Sequence, residues 1–123
     1  MDESSPDVVL LDRPIDAAEL HRLVARFEDM VKYVVDVERR RIAIGGEMQA
    51  DAEQALLEAG SQQGALWGAN YYPGRGREGC IEYTSLINIR PTAGNRGMEL
   101  MDPALRDAVR DITLLLVGQG EPL

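Results

Sequence analysis

Four residues near one another in the chain offer its best-placed chemistry: Asn88, Arg90, Asn95 and Arg96. An arginine flanked by amides suits a carboxylate or phosphate, because the planar guanidinium presents paired donors to paired oxygens. Between them, Gly94-Asn95 can adopt positive φ and turn backbone N–H groups into an anion nest. Glu99 and Asp102 would repel such an anion, so a structural pairing of Arg90 with Glu82 or Asp36 competes with the ligand reading. A second group is Trp67, Gly68, Asn70, Tyr71 and Tyr72. Either Trp67 walls a pocket that Asn70 helps to line, or Trp67 and one tyrosine are core. A third group is acidic, Asp36 with Glu38 and Glu47 with Asp51, and suits a hard cation or general-base work. None of it has the strict spacing of a metal motif. His21 has no partner motif, Cys80 reads as a small buried hydrophobe, and Gly45-Gly46 lacks the third glycine of a dinucleotide loop.

These residues need elements to hold them. Val8 to Leu11 is an apolar β-branched run and predicts a first strand. Pro14-Ile15-Asp16 opens a helix, with Glu19 at the capping-box position and Ile15 placed to staple onto Leu20. Its Leu20, Leu23, Val24 and Phe27 fall on one face. From Met30 the period changes to two, predicting a hairpin with a solvated charged tip, Glu38-Arg39-Arg40, and a second strand from Arg41 to Gly45. A second helix is expected from Asp51, with Gln54 at the box position and Gly60 as its stop. Leu66 to Tyr72 reads as a strand, Arg75 to Gly79 as a mobile turn, and Cys80 to Arg90 as the longest strand. That last reading puts Glu82, Asn88 and Arg90 on one face. After the connection from Pro91 to Met101, Asp102 and Pro103 start a final helix with Leu105, Val109, Ile112 and Leu116 as its stripe. Leu114, Leu115 and Val117 make its end apolar nearly all round, which implies a deep core position or a subunit contact. The predicted order is β-α-β-β-α-β-β-α. The expected class is α+β: a mostly antiparallel sheet of about five strands packed with three helices.

Composition bounds the rest. The 123 residues are read as one domain over 1–123, with residues 1–6 a disordered lead-in. A net charge of −8 argues against a nucleic-acid partner, despite the arginines at 39–41 and 75–77. No apolar run approaches a bilayer span, and one cysteine excludes an internal disulfide. The first residues lack an apolar stretch, so no secretory signal is expected and the expected location is cytoplasmic. No motif names a cofactor.

Several segments together resemble a small prokaryotic family known only as a domain of unknown function. They are Met30-Val31-Lys32 with Val34-Val35-Asp36-Val37-Glu38, Ala43-Ile44-Gly45-Gly46-Glu47 with Ala50-Asp51, and Leu66-Trp67-Gly68 with Asn70 and Tyr72-Pro73. Ile87-Asn88-Ile89-Arg90-Pro91 with Gly94-Asn95-Arg96 completes the set, which spans about residues 13 to 117. The resemblance implies no activity. It implies a histidine in many members where this chain has Gln49, which puts a metal or proton-transfer role there in doubt.

The leading expectation is a small-molecule binding domain with a polar pocket at the end of the longest strand. Its residues would be Glu47, Trp67, Asn70, Glu82, Asn88, Arg90, Asn95 and Arg96, with Arg90 holding an anionic group, the asparagines orienting it and Trp67 as a wall. If the site is hydrolytic, Glu47 or Glu82 is a better general base than His21. The alternative is a non-catalytic interaction or regulatory protein. In that reading the final helix forms a homodimer and the asparagine–arginine loop is a structural network.

Overall fold

Burial of the segment from Val31 to Asp36 on both faces goes with its place in the middle of a sheet. The computed structural model describes residues 8–27 and 29–123; the expected lead-in, residues 1–6, lies outside them. In chain order the elements are β1 (Val9–Leu11), α1 (Ala17–Arg26), β2 (Val31–Asp36), β3 (Arg41–Ile44) and α2 (Gln49–Glu58). They continue with β4 (Leu66–Tyr71), the short α3 (Gly76–Gly79), β5 (Ile81–Glu82) and α4 (Pro103–Leu116). Among the described residues the sheet has five strands in the order β1-β3-β2-β4-β5, with every pair antiparallel. The α+β class and the element order are as expected, with α3 as the added turn of helix.

Both sheet faces are covered. Tyr33, Val35, Ile42, Ile44 and Tyr71 share one core with Leu20, Leu23 and Val24 of α1 and with Val109, Ile112 and Leu116 of α4. On the opposite face Val34, Ala43 and Leu66 pack against Ala52 and Leu56 of α2. Each fully buried aliphatic side chain contributes about 1.5–3 kcal/mol, so the two cores hold the sheet between helices. The apolar end of α4 belongs to its own chain's core. Ile112, Leu114, Leu116 and Val117 are buried, and Leu115 is exposed.

The caps follow the sequence at α1 and α4, where Asp16 accepts from Ala18 N and Asp102 from Ala104 N. Glu19 does not close the expected box but pairs with Arg22. Helix α2 starts earlier than expected: Met48 is its cap residue, and Asp51 reaches back to accept from Met48 N. Gly60 ends it in the left-handed region, as expected.

Two readings are corrected. Arg75 to Gly79 is not simply a turn. It contains α3, and the N–H groups of Gly74 and Gly76 donate to the Gly120 carbonyl. The long strand from Cys80 to Arg90 is not formed either: β5 is two residues long, and Leu86–Asn88 is a 3-10 turn. The physical cause lies at Gly68. A Cβ there would meet Ser85 Cβ and Oγ at 2.6 Å, so Gly68 lets the Ser85 segment close on β4 more tightly than a ladder of side chains allows. With the backbone of this segment turned away, its side chains take over the edge.

Candidate functional site

The two ends of β4 carry the polar residues singled out from the sequence, and they use them differently. At the first end, Asn88 is fully buried and its amide pairs with Gly68 as a strand residue would. It accepts from Gly68 N at 2.8 Å and donates to the Gly68 carbonyl at 3.0 Å and the Met98 carbonyl at 3.1 Å. Arg90 donates to the Leu66 carbonyl and lies over the Trp67 ring, 4.4 Å from its centroid, with Glu53 at 3.9 Å. It pairs with neither Glu82 nor Asp36. Burial holds the guanidinium below its usual pKa, and Glu53 opposes that. Asn95, also buried, sends its amino group to the carbonyls of Asn88, Gly97 and Glu99 and accepts from Met101 N. The expected nest at Gly94-Asn95 has its N–H groups engaged, by the Pro91 and Arg90 carbonyls. Arg96 is exposed.

Glu38, Arg39 and Arg40 at the hairpin tip are exposed, as expected, whereas Asp36 and Arg41 beside it are turned inward. Asp36 is fully buried, accepts from Glu38 N, Arg39 N and Ser61 Oγ, and so caps the turn rather than facing a cation. Arg41, the first residue of β3, donates to the Ala59 carbonyl and Ser61 Oγ. Cys80 is buried, which pushes its thiol up in pKa. His21 is exposed on α1. Among the described residues no group of three or more His, Cys, Asp or Glu could hold a metal ion.

The second end of β4 is open. Register places Lys32 of β2 opposite Asn70 of β4, and Asn70 opposite Glu82 of β5, so the three side chains share the α2 face in one row. Asn70 Nδ2 donates to Glu82 Oε1 at 2.8 Å, and the Tyr72 hydroxyl donates to the same oxygen at 3.2 Å. From the first turn of α2, Gln49 Nε2 donates to Asn70 Oδ1 at 2.7 Å. Arg75 stacks on the Tyr72 ring, 4.0 Å from its centroid. Burial and the neighbouring Glu82 push the Tyr72 phenol up, against the pull of Arg75. Lys32 Nζ donates to the Glu47 carbonyl at 2.8 Å, and among the described residues no carboxylate lies within ion-pair distance of it. An ammonium has three hydrogens, so Lys32 keeps donors for another group. It faces a depression of about 640 Å³ whose other lining residues are Arg26, Phe27, Met30 and Glu47.

Gly45 and Gly46 make this arrangement reachable. Both have positive φ, at 104° and 86°, and a Cβ on Gly46 would come within 3.0 Å of Asp51 Cβ. The chain therefore turns at the end of β3 directly into α2 and carries Glu47 and Gln49 past Lys32 and Asn70.

Residues 9–116 match the sequence profile described as "Protein of unknown function (DUF5674)". The chain belongs to the DUF5674 family. No curated protein and no solved structure matches it. In this DUF5674 member seven of the eight residues selected from sequence divide between the two ends of β4. Glu47, Asn70 and Glu82 lie at the Lys32 end; Trp67, Asn88, Arg90 and Asn95 lie at the other, where Arg90 and Glu53 line a second depression of about 460 Å³, with Arg96 outside both. Sequence reasoning missed Lys32, Gln49 and Tyr72 as members of the row. The one available signal was that Lys32 is the chain's only lysine, on the polar phase of a buried strand. The pairing that unites them is a matter of register across four elements.

Proposed function

We propose that this domain binds a small anionic molecule at the open end of β4, with Lys32 holding the anionic group. The observation that supports this is Lys32 itself: a cation with no carboxylate partner among the described residues, facing a depression and backed by the hydrogen-bonded row of Gln49, Asn70 and Glu82. Most surface cations gain little from fixed geometry. Here one donor is tied to the Glu47 carbonyl, so the ammonium is held in place before any ligand arrives. Phe27 and Met30 give the depression an apolar side, which suits an anion attached to a hydrocarbon body. In this reading Arg90 is moved from ligand to framework, because its guanidinium lies on Trp67 and the Leu66 carbonyl.

The reading is tested by thermal shift against small carboxylates and phosphates, comparing the unmodified protein with Lys32→Ala and Arg90→Lys. A ligand at 100 times its Kd stabilises by about 2.7 kcal/mol, a shift of several degrees for a chain of this size. Loss of the shift in Lys32→Ala, with its retention in Arg90→Lys at a lower starting Tm, is the expected result. A shift abolished by Arg90→Lys and kept in Lys32→Ala returns the site to the Asn88–Arg90 loop. No shift with any anion refutes it and leaves the interaction reading. That reading is favoured by one observation, the internal use of Asn88, Arg90 and Asn95.

A further inference from the structure

We infer that the depression between α3 and the first turns of α4 is a second binding site, one for a small molecule that carries a phosphate monoester. It shares no lining residue with the depression at Lys32 and does not rest on that reading.

The depression has a volume of about 410 Å³ and is lined by three arginines, Arg77 of α3 and Arg106 and Arg110 of α4. Glu78 and Asp107 are the carboxylates in the same lining, so cations exceed anions there in a chain whose net charge is −8. Helix α4 gains nothing from this arrangement, because Arg106 and Arg110 are like charges one turn apart. Two of the arginines are fixed by groups that leave their charge intact. Arg106 lies over the Tyr83 ring, 4.3 Å from its centroid, and Arg77 Nη1 donates to the neutral Gln119 Oε1 at 3.1 Å. The three act on shared neighbours. Burial raises the Tyr83 phenol against the pull of Arg106 and Arg110, and it raises the Cys80 thiol against the pull of Arg110 and Arg77.

The resident carboxylates decide the class of anion. Glu99 lies 3.5 Å from Arg106 and Glu78 lies 3.7 Å from Arg110, and no hydrogen bond joins either pair. The Glu78 side chain is 94% exposed, so water competes for it and the pair is weak. A carboxylate ligand offers the guanidinium groups no more than Glu78 and Glu99 already do. A phosphate monoester brings three terminal oxygens and close to two negative charges, enough to engage all three arginines and displace the loosely held side chains. Ile81 and Met101 give the wall apolar surface, which suits an organic body behind the phosphate, and the volume is that of a small-molecule site.

The test is an amide-resonance titration of the 15N-labelled full chain at about pH 8, where a phosphate monoester is a dianion. The probes are phenyl phosphate, phenyl sulfate, which keeps three terminal oxygens with a single charge, and benzoate. Perturbations are expected around residues 76–83 and 103–110, with phenyl phosphate bound at least about fivefold more tightly than either of the others. Arg77→Gln and Arg110→Gln should each weaken it about tenfold, and Glu78→Gln should tighten it about twofold by removing a competitor. Lys32→Ala should leave it unchanged. Perturbations confined to the surroundings of Lys32 and lost in Lys32→Ala overturn the second site and leave the first standing. Benzoate bound as tightly as phenyl phosphate overturns the phosphate class, and an affinity that neither arginine substitution moves overturns the arginines as its holders. A phosphotyrosine pentapeptide bound more than about tenfold more tightly than phenyl phosphate overturns the small molecule as ligand in favour of a peptide.

Discussion

The two ends of β4 contain similar side chains in opposite states. At the Gly68 end, two asparagines and an arginine face backbone groups that would otherwise be buried without partners, while Arg90 Nη1 and Trp67 Nε1 stay buried with no partner among the described residues. Asn88 replaces a missing strand residue, Arg90 closes the Leu66 carbonyl, and Asn95 ties four main-chain groups of the 88–101 loop together. At the Asn70 end, side chains bond mainly to other side chains, and the series stops with unused groups on Lys32 and Gln49. A polar side chain serving the backbone is part of the fold, because losing it strands a buried group. One bonded to other side chains can exchange that partner for a ligand at small cost. Residue type therefore does not separate framework from site; the identity of the hydrogen-bond partner does.

That contrast can be broken by substitution. The largest expected effect is at Asn95: replacing it with Ala strands several buried backbone groups, and we expect a loss of about 3–4 kcal/mol in urea unfolding. A loss below about 1 kcal/mol would mean the loop does not depend on the amide. Gly68→Ala is next, with a Cβ 2.6 Å from Ser85 Cβ. Overpacking of this kind costs about 1–3 kcal/mol, and a neutral result would show that the Ser85 segment yields easily. Arg90→Lys should cost about 1–2 kcal/mol, since an ammonium cannot both lie flat on Trp67 and reach the Leu66 carbonyl. Ligand binding should survive all three if enough folded protein remains. Lys32→Ala should change stability by less than about 0.5 kcal/mol yet abolish the anion-dependent thermal shift. A large stability loss there would erase the distinction between the two ends.

The smallest effect sharpens the comparison through pH. Burial raises the phenols of Tyr33, Tyr71 and Tyr83 above the ordinary 10.0, and burial with Glu82 raises Tyr72. Above pH 10 the unfolded chain releases protons that the folded chain retains, so these groups stabilise fully below that pH and progressively less as pH rises. The urea midpoint should therefore fall between pH 9 and 11. Tyr33→Phe, in the closed core, should flatten that fall more than Tyr72→Phe at the open row; equal slopes would count against the difference in burial.

Much of the fold was legible because it depends on local chemistry. Period-two alternation gave β2 and β3, the Leu20–Leu23–Val24 stripe gave the buried face of α1, and Asp102-Pro103 gave the start of α4. The segment from Cys80 to Arg90 alternates just as regularly, and that pattern misled. Alternation records which side chains are buried, and here Ser85, Asn88 and Arg90 are drawn inward by the edge of β4 rather than by a strand of their own. The same limit governs the candidate site. Glu47, Asn70 and Glu82 could be chosen by type, but grouping them with Lys32, Gln49 and Tyr72 requires knowing that β4 lies between β2 and β5.

The sequence by itself determined the class, the element order and the cap residues of α1 and α4, because hydrophobic period and capping act over a few residues. Only the tertiary structure decided which asparagines and which cation are framework and which are left open. Hydrogen-bond partners are set by strand order and register, and those follow from the packing of both sheet faces at once.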